Sequence, residues 1–165
     1  MILNKIFKNT LLVLAACLVL SACATKKEVA TDATISGQMQ SDVYTGTDSV
    51  EYLADGVPDR IFFATNKYNI SSKGTETLLK QVNYLKNNPN LNVTLEGHAD
   101  ERGTREYNLA LGEKRATAVK DYLMANGLAS NRIKVVSYGK ERPVNPASNA
   151  IAWSQNRRTV TVKIN

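Results

Sequence analysis

The pattern of apolar and polar positions divides the chain into three stretches. Leu11 to Leu20 is an unbroken apolar run preceded by Lys5 and Lys8. At about ten residues it is half the length a bilayer-spanning helix needs, and it matches the apolar core of a secretory signal. Residues 24 to 57 are rich in Thr, Ser, Asp, Gly and Ala, with apolar residues scattered at neither period 2 nor period 3.6. That pattern predicts a flexible linker without packed elements. Its reach is about 110 Å fully extended and roughly 30–35 Å as a coil. From Arg60 onward the pattern becomes regular.

Arg60-Ile61-Phe62-Phe63-Ala64 predicts a short buried strand. Ser71 or Ser72 is placed to cap a helix in which Leu78, Leu79, Val82 and Leu85 recur at helical spacing, and Asn87-Asn88-Pro89-Asn90 ends it. Leu91, Val93 and Leu95 alternate with polar residues as in a strand with one buried face. A second helix is expected from about Glu106 to Ala125, stopped by Asn126-Gly127. Ile133, Val135 and Val136 mark a third strand. After a loop with room for a helical turn, Val160, Val162 and Ile164 alternate in a fourth. The order β-α-β-α-β, then β, predicts an α/β domain of two layers, one sheet face under two helices.

Composition changes the picture at the N-terminus. The chain of 165 residues carries 21 Lys+Arg against 15 Asp+Glu, net +6. Loss of residues 1–22 removes Lys5 and Lys8 and no acids, leaving +4, a solvated surface and not a nucleic-acid footprint. Leu20-Ser21-Ala22-Cys23 resembles a bacterial lipobox, which implies cleavage before Cys23, lipidation of its thiol and amine, and stable anchoring by several acyl chains. Ala24, where an Asp would imply inner-membrane retention, points to the outer membrane, with the domain facing the periplasm. Leu14-Ala15-Ala16-Cys17 also fits the pattern but would leave an apolar core of about four residues. The expected organisation is a signal peptide (1–22), a lipid-anchored linker (23–57) and a domain (58–165).

The domain's chemistry concentrates between the second strand and second helix. Gly97-His98-Ala99-Asp100-Glu101-Arg102-Gly103-Thr104 is a polar loop at a helix start, where backbone N–H groups and the positive helix end suit an anion. On a helical wheel Leu111, Ala118 and Tyr122 cluster, Arg115 falls at the centre of that stripe, and Asn108 and Val119 flank it. A guanidinium on an apolar face is costly unless paired or bound, and Asp100 is its nearest plausible partner in the sequence. Two readings stay open. One is a structural Asp100–Arg115 salt bridge inside a protein-docking module. The other is a ligand site in which Asp100 takes an ammonium and Arg115 a carboxylate, a geometry suited to arginine's fork. With one histidine, there is no HExxH or His/Cys cluster, and neither a GxSxG elbow nor a Walker A loop is present. Nothing in Asp100 and Glu101 establishes a glycosidase pair. No enzyme, metal or cofactor is expected.

Asn108-x-x-Leu111-Gly112-x-x-Arg115-Ala116-x-x-Val119-x-x-x-Leu123 resembles the signature of OmpA-like peptidoglycan-binding domains. Gly97 to Asn108, Val136-Ser137-Tyr138-Gly139-Lys140-Glu141-x-Pro143 and Asn156-Arg157-Arg158 extend the likeness to lipoproteins of the Tol–Pal system. The resemblance spans roughly residues 58–165. It implies a βαβαβ-β domain of the α+β kind, with helices on one face of a four-stranded mixed sheet. It also implies peptidoglycan as partner, the meso-diaminopimelate of its stem peptide held by Asp100 at the amine and Arg115 at the carboxylate. Backbone at Phe63-Ala64-Thr65, with Thr104, Asn108 and Leu111, completes the implied pocket. TolB and other Tol–Pal components are implied as competing partners, with a role in outer-membrane integrity and in invagination during division. The chain departs from the family at Ala64, Asn66 and Asn69, where acids are usual, which implies weaker affinity if a carboxylate there touches ligand. Glu101 and Arg102 read equally as rim contacts or an exposed ion pair, and His98 as a hydrogen-bonded structural residue. Asn156-Arg157-Arg158 reads as a contact to glycan or protein, or as a solvated strand start.

Overall fold

The computed structural model describes residues 39–40, 42–47 and 50–164. The expected signal peptide, the lipidation site Cys23 and the first part of the expected linker lie outside the described residues. Two small hairpins come first, β1 (Met39–Gln40) with β2 (Val43–Tyr44) and β3 (Tyr52–Ala54) with β4 (Val57–Pro58). They are followed by β5 (Arg60–Phe62), α1 (Ser72–Asn87), β6 (Asn92–His98), α2 (Arg105–Ala125), a 3-10 turn at Ser130–Arg132, β7 (Ile133–Gly139), α3 (Ala150–Asn156) and β8 (Arg158–Ile164). The main sheet has the order β5-β8-β6-β7. Strand β8 runs antiparallel to both neighbours, while β6 and β7 are parallel. This is the expected mixed four-stranded sheet under helices, and the helical turn foreseen before the last strand is α3.

The helix signals act as read. Ser71 caps α1, its Oγ accepting from the Gly74 N–H at 3.1 Å, and Leu78, Val82 and Leu85 enter the core. Leu79 does not; it is 44% exposed, one step outside the stripe. Thr104 caps α2 by accepting from the Tyr107 N–H. Gly127, at φ +92°, closes α2 with the Gly127 N–H on the Met124 carbonyl and the Leu128 N–H on the Leu123 carbonyl, the paired bonds of a Schellman ending. Arg132 satisfies orphan carbonyls after α1, donating to Leu85, Asn88 and Leu91.

One expectation is corrected, that of the linker. Tyr44 and Leu53 are buried, Tyr44 packing edge-on against Phe62 with ring centroids 4.8 Å apart, and the Pro58 carbonyl accepts from Gln81. The folded unit therefore starts upstream of residue 58. Strands of two and three residues are too short to show a period, so the sequence pattern misses them. The last strand forms where it was expected, and its register decides which face each residue takes. Register pairs Leu95 with Thr161 but Thr94 with Val162 and Glu96 with Val160, and directly opposed residues share a face. Leu95 lies in the core under the helices, so Val160, Val162 and Ile164 line the opposite, open face. The helix side of β8 carries Thr161, whose hydroxyl donates to Gln81 Oε1 in α1 at 2.8 Å.

Glycine sets the height of α2 above the sheet. A Cβ on Gly97 would lie 1.9 Å from the Gly112 carbonyl oxygen, so helix and strand touch backbone to backbone. That approach carries Arg115, one turn on from Leu111, over the C-terminal end of β6.

Candidate functional site

Three loops meet at that end: residues 63–69 after β5, residues 98–104 after β6, and Asn156–Arg157 before β8. Arg115 is fully buried. Its Nε donates to the Lys67 carbonyl at 2.9 Å, Nη1 to the His98 carbonyl at 2.8 Å and Nη2 to the Ala64 carbonyl at 3.1 Å. Its guanidinium stacks over the Phe63 ring at 5.2 Å. A guanidinium has five N–H donors, so each terminal nitrogen keeps one for a further acceptor. The turn that offers two of these carbonyls depends on Asn66 at φ +55°, a left-handed conformation that asparagine tolerates well.

The direct Asp100–Arg115 salt bridge of the alternative, protein-docking reading is not what forms. Asp100 instead pairs with Arg102, Nη2 to Oδ2 at 2.7 Å and Nε to Oδ1 at 3.1 Å, and with Arg157 Nη1 at 3.3 Å. The physical reason lies in the carbonyls: three of them already orient Arg115, and the loop turns the Asp100 carboxylate toward its own Arg102. Burial works to raise the Asp100 carboxyl, but the Arg102 hydrogen bonds, the Arg102 charge and the Arg157 bond together hold it below its ordinary value. Arg115 has no carboxylate in ion-pair range among the described residues. Burial, reinforced by the like charge of Arg157, draws it down to about 10; it stays a cation at neutral pH.

The other expected residues fall around this pair. The Phe63 carbonyl accepts from Arg157 Nε. The Thr65 N–H donates to Asp42 Oδ2 at 2.7 Å, and its hydroxyl accepts from Arg102 Nη2 at 3.3 Å. Asn108 is buried and braces the loop by donating to the Arg102 carbonyl. Thr104 serves as the cap of α2, and Leu111 lies on the buried face of α2. Arg102 thus spans two of the loops, its guanidinium stacked on Trp153 at 4.3 Å. Glu101 accepts from the Ser148 hydroxyl and from Trp153 Nε1, which keeps its carboxyl low.

Sequence reasoning missed Asp42 and read Arg157 only as a glycan or protein contact or a solvated strand start. Arg157 is 2% exposed and donates to Asp42, Asp100 and Phe63; it is neither a solvated strand start nor a surface contact. Asp42, at φ +64°, reaches in from the β1–β2 turn. An arginine pair opening a strand was the available signal for Arg157, whereas Asp42 carried none. His98 is also corrected: it is 2% exposed, and neither ring nitrogen has a hydrogen-bond partner among the described residues. Among the described residues no cluster of His, Cys, Asp and Glu is suited to a metal, and no helix is long and apolar enough to cross a membrane.

A mixed sheet under two helices, with a buried arginine presented at one sheet end, is the architecture of an OmpA-like domain. The OmpA family model matches residues 62–157, and the chain belongs to that family. It is 44% identical over 161 residues to the peptidoglycan-associated lipoprotein of Rhizobium meliloti (strain 1021), covering 97% of this chain and 90% of the relative. The crystal structure of the peptidoglycan-associated lipoprotein from Burkholderia pseudomallei aligns with a TM-score of 0.63 at 38% identity, over 64% of this chain and 90% of that one. The C-terminal domain of Helicobacter pylori MotB shares the fold at 17% identity, with a TM-score of 0.60 over 65% of this chain and 84% of that one.

Proposed function

We propose that this chain is a lipid-anchored outer-membrane protein whose periplasmic domain binds peptidoglycan without a covalent bond, tying the membrane to the wall. The observation that carries the reading is Arg115, a fully buried cation oriented by three carbonyls, with no carboxylate in ion-pair range among the described residues. A ligand carboxylate supplies the missing counter-charge in the bidentate geometry guanidinium favours. Asp100, at the same end of β6, holds an ammonium once Arg102, whose side chain is 42% exposed, yields its place. The ligand then bears an amine and a carboxylate on one carbon, as the side-chain end of meso-diaminopimelate does. The names of the relatives, peptidoglycan-associated lipoproteins, support this choice. In the same reading Cys23 carries the acyl chains, TolB competes for the wall-binding surface, and the protein serves membrane integrity and constriction as part of the Tol–Pal system.

The test is sedimentation of the full chain with purified sacculi of two kinds, one bearing diaminopimelate and the other lysine in the stem. Retention is expected on the first alone. Asp100→Asn, which keeps the size but removes the charge, and Arg115→Lys, which keeps the charge but loses the fork, are each expected to weaken it at least about tenfold, or about 1.4 kcal/mol. Equal retention on both walls, or variants that bind as the parent does, would overturn the proposal.

A further inference from the structure

The open face of the sheet, opposite α1 and α2, holds a second cleft of about 510 Å³. Its floor is the outward row of β6 and β8, with Glu96, His98, Arg158, Val160 and Val162, and its walls are the β3–β4 hairpin and the segment from Arg142 to Val144. Its cations are not balanced. Arg60 is neutralised by Asp59, at 2.7 and 2.8 Å, and by Glu51 at 3.3 Å. Arg158 is 7% exposed, its terminal nitrogens reach only the carbonyls of Asn156 and Arg142, and its Nε has no partner among the described residues. Arg142 stacks on Tyr138 at 3.8 Å and Tyr138 lies 5.6 Å from His98, so a second guanidinium stands over the same spot. Lys163 lines the rim; Glu96, with Oε2 3.8 Å from His98 Nε2, lies on the floor, and its charge acts on Arg158 together with those of Asp59 and Glu51, so four cations face three acids in the cleft. Buried donors without acceptors are costly, and here they line an open cleft.

From this geometry we infer a small-anion site, taking a carboxylate or phosphate group between Arg158 and Arg142 and against His98. The anion supplies the acceptor that Arg158 Nε lacks. It also favours the imidazolium, with one ring nitrogen on Glu96 and the other on the anion. Val160, Val162, Pro143 and Val144 leave room for an apolar body beyond the charged group. None of these groups is among the residues assigned to the wall ligand, so the inference stands or falls independently.

The experiment titrates the full chain, separately, with inorganic phosphate and with sodium acetate, and follows the His98 ring and the arginine Nε–H signals by NMR at fixed ionic strength. Saturable shifts at His98 and Arg158 are expected with at least one anion, together with an upward move in the ionisation of His98. The signals of Thr65 and Asp100 stay in place. Arg158→Gln should abolish the shifts and Arg158→Lys retain part of them; the exposed Arg142→Gln, which leaves the buried floor intact, should weaken binding several-fold. The inference is overturned by flat titrations with both anions to tens of millimolar, by shifts spread evenly over surface lysines and arginines, or by unchanged binding in Arg142→Gln and Arg158→Gln alike.

Discussion

The chain has one histidine, so protonation linked to folding between about pH 5 and pH 7 is read largely at a single side chain. Burial, then the charges of Arg158, Arg60 and Arg142, push His98 from 6.5 to about 3. The nearby Glu96 carboxylate, 3.8 Å away, does not reverse this. The unfolded chain takes up a proton as the pH falls through 6.5, whereas the folded chain keeps the ring neutral until about pH 3. The contribution is therefore complete above 6.5 and is lost progressively down to about 3. At about 1.4 kcal/mol per pH unit, moving from about pH 7 to about pH 5 costs about 2 kcal/mol, and the whole window about 5 kcal/mol. Against a typical net stability of roughly 5–15 kcal/mol that is a large loss. Urea unfolding followed by circular dichroism at about pH 7, 6 and 5, with constant m-values, measures it. His98→Phe removes the titrating group, and its stability should change by less than about 0.5 kcal/mol over the same range. A parent protein of flat stability, or a His98→Phe protein that keeps the slope, would refute the assignment of the effect to the buried imidazole.

Other substitutions test the packing and the charge network. Gly112→Ala places a Cβ 2.4 Å from Ser137 Oγ and 2.8 Å from the Gly97 carbonyl oxygen, and should cost about 3 kcal/mol as α2 is forced off the sheet; an unchanged melting temperature contradicts the close approach. Asp42→Asn breaks the ion pair to Arg157, and because that carboxylate is 47% exposed the loss should be about 1 kcal/mol, with faster exchange of the Thr65 amide as the local sign. Arg102→Ala should let the Asp100 carboxyl rise toward its ordinary value, since Arg102 supplies most of the interactions that hold it down; carboxyl carbon shifts against pH report this, and an unmoved titration would leave Arg157 as the dominant partner. The same variant should change the emission of Trp153, the one tryptophan, because Arg102 stacks on it.

The legible parts of the fold are those where one physical rule acts alone. Ser71, Thr104 and Gly127 end helices for local reasons, and Leu78, Val82 and Leu85 face the core because helical spacing places them on one side. The illegible parts depend on a partner far along the chain. Val160, Val162 and Ile164 alternate as a buried face would, yet register with β6 turns them outward and gives the core side to Thr161, which finds Gln81 eighty residues away. Arg115 was recognisable as a buried charge because a helical wheel needs no tertiary information. Its partners were not, since carbonyls carry no sequence signature and Asp100 had two arginines competing for it. Asp42 lies 115 residues from Arg157, inside a hairpin too short to leave a pattern.

The charges at the sheet end also explain why such an expensive arrangement persists. Arg115 and Arg157 are both buried there, and the like charge of Arg157 disfavours Arg115. Asp100 and Asp42 answer Arg157, and Asp100 also answers Arg102, so the acids are committed before Arg115 is reached. Carbonyl oxygens orient a guanidinium and satisfy its hydrogens, but they bring no net charge to offset its desolvation. A buried cation whose hydrogen bonds all go to carbonyls, with Asp100 acting on it only through its charge, is a poor stabilising device, and under the proposed function it is suited to binding. Its remaining donors are fixed in direction, and little reorganisation is left to be done when a carboxylate arrives. An anion that enters beside Arg115 therefore gains more than it would on a surface arginine, and the same charge arithmetic on the open face singles out Arg158 and Arg142.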